Sequence, residues 1–458
     1  MSSIETEGRL DPALVRMIAA VLAGGLLGIL NSTMVAVGTD LLAADLGTSL
    51  STAGWTTTGF LLAVTIAIPF TTWAVDRVGG RRMWLWGLGV FLAGSLAAGC
   101  AWDVGSLIAF RVVQGLGAGV LDPLVLTLLA RAAGPSRAGR VMGVMGVVLS
   151  LGPVLGPIAG GAVFDALPWR AVFLLDVPLG LVAVLLALCA LPADGPTGRT
   201  RLDVLGLALL GPGFAALVLA LSQAAEHTAF ATAPVLVPFA AGLVLLTGYG
   251  VHAARAGEPL IELRLFTRGA FTASVGVMAL VGLGTFANLF VVPLFYQQIH
   301  GHGVLAAGLL VAPVGIGGAI SMPLAGRLSD RLGARVLVRC GAGVALVAGL
   351  AFTRIGPDTE QVWPAVGALV MGLGLGFVGA PTMGSLYRTL PAPLVPQGSS
   401  ALYMLNQLGA SIGVAVVTPI LTAAPDPVAG YRGVYWFAVA ATALVLVASP
   451  LLPGRVVR

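Results

Sequence analysis

Fourteen apolar stretches, each long enough to cross a lipid bilayer as a helix, follow one another along this chain of 458 residues. A membrane-spanning helix needs about 20 predominantly apolar residues. Because the number of crossings is even, the pattern places both ends of the chain on the same side of the membrane. The predicted spans are residues 17–38, 50–73, 83–101, 104–131, 138–163, 169–190, 204–223, 233–254, 269–297, 303–326, 336–355, 361–387, 396–421 and 431–452.

The composition excludes most soluble classes of protein. Hydrophobic residues make up 58% of the chain and charged residues 9%, whereas an average soluble domain is about 25% charged. So few charges could not cover the surface of soluble domains, and neither a disordered protein nor a nucleic-acid-binding domain fits this composition. Three scattered cysteines, Cys100, Cys189 and Cys340, suggest no disulfide framework. We predict no metal and no cofactor.

The positions of the arginines support the span count and give the chain an orientation. All 24 basic residues are arginine. With the N-terminus in the cytoplasm, 20 of them fall on the cytoplasmic side and 3 outside, and Arg111 lies within the fourth span. Because cytoplasmic loops carry an excess of Lys and Arg, we expect a multi-pass protein of the cell (inner) membrane with cytoplasmic N- and C-termini.

A short internal repeat divides the chain into two related halves. TWAVDRVGGR at 72–81 matches GRLSDRLGAR at 326–335, and the copies follow the second and the tenth spans. A shift of eight helices equals a six-helix repeat plus two inserted helices, as in transporters built from parallel repeats. The predicted organisation is a cytoplasmic N-terminus at 1–16, an N-terminal six-helix bundle at 17–190, a cytoplasmic linker at 191–203, two inserted helices at 204–254, a C-terminal six-helix bundle at 269–452 and a cytoplasmic C-terminus at 453–458.

Three short motifs point to a known family. AVDRVGGRR at 74–82 follows the second span, FRVVQGLGAG at 110–119 lies in the fourth, and spaced small residues occupy the fifth at Gly143, Gly152, Gly156, Pro157, Gly160 and Gly161. All three resemble motifs of the major facilitator superfamily, in its fourteen-helix drug/proton antiporter branch, and the third resembles the antiporter motif. The resemblance implies an all-α membrane protein with two six-helix bundles plus two inserted helices, and a multidrug exporter rather than an enzyme.

The resemblance also implies a gate at the repeated loops and a flexible interface at the antiporter motif. An acid that pairs with Arg at helix ends can make its contacts in one orientation of the two halves and lose them in the other. The alternatives are a purely topogenic charge cluster for the loops and ordinary close packing for the glycines. The implied gating residues are Asp76, Arg77, Gly79, Arg81, Asp330, Arg331 and Arg335.

Two charged residues of the fourth span lie at bilayer depth, where a charge is by default functional. Arg111 and Asp122 are eleven residues apart, which on a helix leaves a net rotation of about 20° and a separation of about 16 Å. Gln114 shares their face. Because a low dielectric favours the neutral form of a carboxylate, we predict that Asp122 carries the transported proton and that Arg111 assists it. A purely structural carboxylate is the alternative.

The first span departs from the pattern that the resemblance implies. Asn31 stands where the family has an acid, so proton coupling would have moved to Asp122 or Asp40, unless this protein is not coupled as its relatives are. The alternative for Asp40, near the outer interface, is a solvated acid. Asp176 stands where the family commonly has Asn. It could assist Arg111 electrostatically, although the resemblance implies that the sixth helix is peripheral in the fold.

Several polar residues at depth are candidates for a substrate cavity, although each could instead bridge helices. We expect an exporter that drives amphipathic or lipophilic small molecules outward against inward proton movement by alternating access. Its partners would be that substrate, protons and the lipid bilayer, without nucleic acid, and the protein would be a monomer. The alternatives are a dedicated exporter of one metabolite, antibiotic or lipid, and a non-transporting membrane receptor. The candidate cavity residues are Asn31, Gln114, Asn288, Tyr296, Gln297, Asn406 and Gln407.

Overall fold

The computed structural model describes residues 11–195, 201–227, 230–301, 304–356, 359–360 and 362–454, and this part of the chain is almost entirely helical, without a strand. The predicted tails and linker lie partly outside the described residues. The long helices are α1 (Pro12–Val37), α2 (Leu50–Val78), α3 (Gly80–Gly99), α4 (Val104–Gly134), α5 (Arg137–Ala166), α6 (Ala171–Ala190), α7 (Val204–His227), α8 (Ala233–Ala253), α9 (Gly269–His300), α10 (Val304–Leu332), α11 (Ala334–Phe352), α12 (Val362–Thr389), α13 (Val395–Ala423) and α14 (Pro427–Ala448).

Thirteen helices of the described part are long and apolar enough to cross a membrane. The remaining helix, α3, has 20 residues, and its hydropathy is lowered by Arg81, Arg82 and two tryptophans. It nevertheless belongs to the bundle, because its Trp84, Leu88 and Phe91 are completely buried. The all-α membrane architecture that the apolar stretches predict is therefore confirmed.

One glycine separates α4 from α5. The two helices form a continuous run of 63 residues, Val104–Ala166, that is broken at Gly134, where φ is 64° and ψ is 171°. Glycine accepts a positive φ because it has no Cβ. The run begins with a capping box in which the Asp103 carboxylate accepts from the Ser106 amide and the Ser106 hydroxyl accepts from the Asp103 amide. This single break reverses the chain between two predicted spans.

The two copies of the internal repeat fold alike. Gly79 separates α2 from α3 with a φ of 102°, and Gly333 separates α10 from α11 with a φ of 81°. Both values lie where residues with a Cβ are strained. The shared glycine of the repeat therefore fixes the same tight turn in both halves.

The inserted helices pack against each other and against the two halves. A Cβ on Gly213 of α7 would meet Leu246 of α8 at 2.9 Å, and one on Gly211 would meet the backbone oxygen of Ile66 in α2 at 2.8 Å. Ser51, in the first turn of α2, also donates to Glu226 of α7 at 2.6 Å. On its other side α7 contacts α13. Helix α7 therefore covers the seam between α2 and α13.

Candidate functional site

A central cavity of about 260 Å³ lies between the two halves of the bundle. Its wall contains residues of α1, α2, α4 and α5 from the first half, α9 and α13 from the second, and the inserted α7. Most of these residues are apolar or small, and Asp122 is the charged one among them. The other polar wall residues are Ser32, Thr33, Ser222, Tyr403, Gln407 and Ser411.

Asp122 lies at the contact between the two halves. Its carboxylate on α4 faces the hydroxyl of Tyr403 on α13, and both side chains line the cavity. The structure thus places Asp122 in the cavity wall, whereas its proton-carrying role stays a prediction. Tyr403 is not among the predicted site residues, although it lies on the same predicted span as Gln407.

A second polar cluster is buried within the first half and consists of Asn31, Ser95, Arg111, Gln114 and Asp176. Arg111 donates from Nη1 to the side-chain oxygens of Asn31 and Gln114. Asp176 Oδ2 accepts from Asn31 Nδ2 at 2.6 Å, from Gln114 Nε2 at 3.3 Å and from Ser95 Oγ at 3.4 Å. Four of the five side chains have no exposed surface, and Asp176 is 5% exposed. We call these five residues the polar cluster.

The charged groups of the polar cluster are held apart by two amides. Asn31 and Gln114 each accept from Arg111 and donate to Asp176, so both bridge the cation and the anion. The Nε of Arg111 donates to the backbone oxygen of Thr56 at 3.0 Å. Its guanidinium lies over the ring of Phe60, with 4.1 Å from Cζ to the ring centroid. Because Phe60 also lines the central cavity, a single aromatic residue connects the cavity with the polar cluster.

Asp176 points inward from a sixth helix whose large apolar side chains are mostly exposed. Its carboxylate is inserted between α1, α3 and α4 and has three donors there. The sequence signal for this inward position is that Asp176 is a lone acid in the apolar stretch LLDVPLG. Asp40 lies on a short helix, Thr39–Asp45, and is exposed. It is not part of the cavity wall or of the polar cluster, because the chain has already left the bundle there.

The seven predicted cavity residues separate into four groups, of which the first three contain five residues. Gln407 lines the cavity, whereas Asn31 and Gln114 lie in the polar cluster because they satisfy buried charges. Asn288 and Asn406 satisfy backbone oxygens instead, those of Gly284 and Met278, each at 2.8 Å.

The remaining two predicted cavity residues are on α9. Tyr296 is 2% exposed and belongs to an aromatic core with Phe295 and Tyr431. Gln297 is half-buried and is not part of the cavity wall. Helix α9 therefore contributes Phe286 to the cavity wall, whereas Tyr296 and Gln297 lie outside that wall.

The repeated loops lie together at the arginine-rich end of the bundle. Asp330 Oδ1 accepts from Arg388 of α12 at 2.7 Å, and its two oxygens accept from the backbone amides of Gly139 and Arg140 at 3.1 and 3.2 Å. Asp330 therefore ties α10 of the second half to the first turn of α5 in the first half. A carboxylate is favoured at a helix N-terminus.

Three other predicted gating residues make side-chain contacts within their own halves. Asp76 accepts from Arg131 at 2.8 Å. Arg81 donates to the backbone oxygen of Leu188 at 2.9 Å, and Arg335 donates to that of Leu452 at 3.1 Å. The side chains of Arg77 and Arg331 are exposed. A Cβ on Gly79 would meet Asp194, which caps α3 through the amides of residues 81 and 82.

The small residues of the antiporter motif serve two different contacts. A Cβ on Gly143 would meet the backbone oxygen of Met322 in α10 at 2.6 Å, so this glycine lies at the interface of the two halves. A Cβ on Gly152 or Gly160 would instead meet Ile29 at 2.6 Å or Met34 at 2.9 Å.

The other three residues of the antiporter motif differ from one another in their contacts. Gly156 lies against Thr33 of α1, so with Gly152 and Gly160 it makes an interface within the first half. Pro157, which follows Gly156, removes a backbone donor from the middle of α5. A Cβ on Gly161 would meet nothing within 4 Å, so close approach requires only part of the motif.

Comparisons with known proteins agree with this architecture. The family model described as Major Facilitator Superfamily matches residues 17–414 of this chain. The chain is 36% identical over 419 residues to the multidrug resistance protein B homolog of Mycobacterium tuberculosis, covering 90% of this chain and 77% of the relative. It is 30% identical over 414 residues to the multidrug export protein EmrB of Escherichia coli, covering 89% and 80%.

Two solved structures share the fold. The human organic anion transporter MFSD10 matches with a TM-score of 0.67 at 18% identity, over 96% of this chain and all (100%) of that one. The proton:xylose symporter XylE matches with a TM-score of 0.64 at 15% identity, over 95% and 94%. The matched family is one of transporters, and the fold, the repeated loops and the match over most of the sequence lead to one conclusion. The chain is a multi-pass membrane protein that belongs to the major facilitator superfamily.

Proposed function

We propose that this protein exports amphipathic or lipophilic small molecules in exchange for protons, by alternating access to the central cavity. The observation that carries the proposal is the cavity itself, an apolar chamber between two halves whose charged wall residue is a single carboxylate, Asp122. An apolar wall binds lipophilic molecules by burial of their surface. Relatives named for multidrug resistance and export support the direction of transport.

Asp122 is suited to couple the two fluxes. The carboxylate lies in the cavity and faces the hydroxyl of Tyr403 in the opposite half. When Asp122 takes up a proton, the carboxylate loses its charge and its attraction for that hydroxyl weakens, because hydrogen bonds to an ionised acceptor are roughly twice as strong as neutral ones. Protonation therefore changes an attraction between the two halves.

The arginine-rich end faces the cytoplasm of the cell membrane in this proposal, with both chain ends on that side. Asp330, bound to the start of α5, holds that end closed. The substrate is a small amphipathic molecule, and the protein acts as a monomer without a cofactor.

Transport by purified protein in sealed vesicles tests the proposal. Vesicles with an imposed pH gradient should accumulate a lipophilic cationic dye, and addition of the dye should accelerate decay of the gradient. Asp122→Asn should abolish gradient-driven accumulation while dye binding persists. Asp165→Asn, which neutralises an exposed acid at the end of α5, is the matched control.

Two results would contradict the proposal in different ways. Unchanged gradient-driven accumulation in Asp122→Asn would remove Asp122 as the proton carrier. Dye binding by the wild-type protein without any flux would support the membrane receptor instead, and flux of one metabolite but of no dye would support a dedicated exporter.

A further inference from the structure

Asp176 is a buried acid that the mechanism above does not use. It lies near the start of α6, at the end of the bundle opposite the arginine-rich loops. Its Oδ2 accepts from Asn31, Gln114 and Ser95. An ionisable residue at bilayer depth is costly and is by default functional.

We propose that Asp176 is a second proton-carrying carboxylate, which exchanges protons with water on the side opposite the arginine-rich loops, and that Asn31 and Gln114 link it to Arg111. The proposal rests on the proposed proton coupling and adds a residue to it. Asp122 lies eleven residues beyond Arg111 on α4, which corresponds to about 16 Å along the helix. The two acids therefore occupy different depths of the first half.

The charges of the polar cluster explain why protonation of Asp176 has a consequence. Arg111 of α4 is the charged group that faces Asp176. Helices α1 and α3 present Asn31 and Ser95 to it, and neither side chain titrates near neutral pH. Ionised Asp176 and Arg111 together are neutral. When hydronium gives its proton to a carboxylate oxygen of Asp176 and leaves as water, the cluster keeps the positive charge of Arg111 without an anion.

The contacts of Arg111 carry that change to the cavity. One guanidinium nitrogen, Nη2, has no hydrogen-bond partner among the described residues, so Arg111 has a donor free for a new acceptor. Its guanidinium lies over Phe60, which lines the cavity. Asn31 is followed on α1 by Ser32 and Thr33, which also line the cavity. Movement of Arg111 or of α1 therefore reshapes the cavity wall.

The bond between Asn31 and Asp176 suggests a decisive exchange of side chains. An acid and an amide have nearly the same shape, and the two side chains are 2.6 Å apart. Asp176→Asn alone should abolish proton uptake coupled to dye export in vesicles. The double variant Asn31→Asp with Asp176→Asn returns one carboxylate to the same hydrogen bond and should restore coupled uptake. Asp165→Asn again serves as the control with unchanged transport.

A spectroscopic measurement separates titration of Asp176 from transport. The infrared difference spectrum between acidic and alkaline pH should contain a protonated-carboxyl band that disappears in Asp176→Asn and returns, shifted, in the double variant. Coupled proton uptake that persists in Asp176→Asn would overturn the inference and leave the proposed function intact. If the double variant folds but does not restore uptake, the inference is also overturned, because a carboxylate in the same hydrogen bond would then not be sufficient for coupling. Wild-type dye flux without proton movement would refute both proposals, even if the infrared band were present.

Discussion

The two copies of the repeated loop have similar sequences but different partners. Asp76 and Asp330 occupy equivalent positions, and each accepts from an arginine at the end of a neighbouring helix in its own half, Arg131 at 2.8 Å and Arg388 at 2.7 Å. Asp330 also accepts from two backbone amides at the start of α5. The equivalent contact of Asp76, with the start of α13, is not found among the described hydrogen bonds.

The difference shows which contacts the repeat determines and which depend on the arrangement of the halves. The pair within each half follows from equivalent helices. The contact across the halves depends on close approach of α5 to α10, where Gly326 lies against Gly139 and Gly143. The first copy has Thr72 in the position of Gly326. The second loop is also more buried, since its ion pair is 14% and 18% exposed against 36% for both members of the first.

Among the three substitutions proposed in the two loop copies, neutralising Asp330 should slow dye transport the most. Asp330→Asn leaves Arg388 without its anion and weakens the contact with the start of α5. Because the side chains of this pair are 18% and 14% exposed, we expect a loss of about 2 kcal/mol, at the lower end of what removal of one partner from a fully buried charge pair costs. Because 1.4 kcal/mol is a factor of ten in an equilibrium, dye transport in vesicles should fall by roughly tenfold or more. Spin labels on the exposed Arg82 and Arg327 positions should report a wider arginine-rich end. An unchanged label distance would show that Asp330 does not hold this end closed.

A substitution that makes the second copy of the loop resemble the first should slow transport by an intermediate amount. Gly326→Thr places a side chain against Gly139 and 3.0 Å from the Cα of Gly143, and such overpacking typically costs about 1–3 kcal/mol. We expect a lower thermal midpoint in detergent and slower transport. Gly343→Thr is the matched control, because a Cβ at Gly343 meets nothing within 4 Å. Equal effects of the two substitutions would show that close approach at Gly326 is not what distinguishes the copies.

Neutralising Asp76 should have the smallest effect. The pair with Arg131 is partly exposed, and exposed ion pairs contribute about 0.2–1 kcal/mol. Asp76→Asn should therefore slow dye transport by less than about fivefold. High salt should weaken the wild-type pair and narrow the remaining difference. A loss as large as that in Asp330→Asn would mean that Asp76 makes its own contact across the halves in another state of the transport cycle.

The sequence by itself determined the membrane architecture and the family. Hydropathy and helix length are local properties of consecutive residues, so the apolar stretches, the break at Gly134 and the turns at Gly79 and Gly333 follow from short segments. The shared face of Arg111 and Asp122 on α4 was predictable in the same way, because the rotation of a helix over eleven residues is fixed by its geometry.

Only the tertiary structure decided the partners of the polar side chains. Asn31 and Asp176 are 145 residues apart in sequence, and no local pattern shows that their side chains meet, or that Asn288 and Asn406 bind backbone oxygens instead of facing the cavity. The two loop copies cannot be told apart from their shared residues, because their difference lies at Gly326, where the first copy has Thr72, and in the close approach of α5 to that glycine. A buried polar group takes whichever partner the packing provides, and that packing is set by all the helices together.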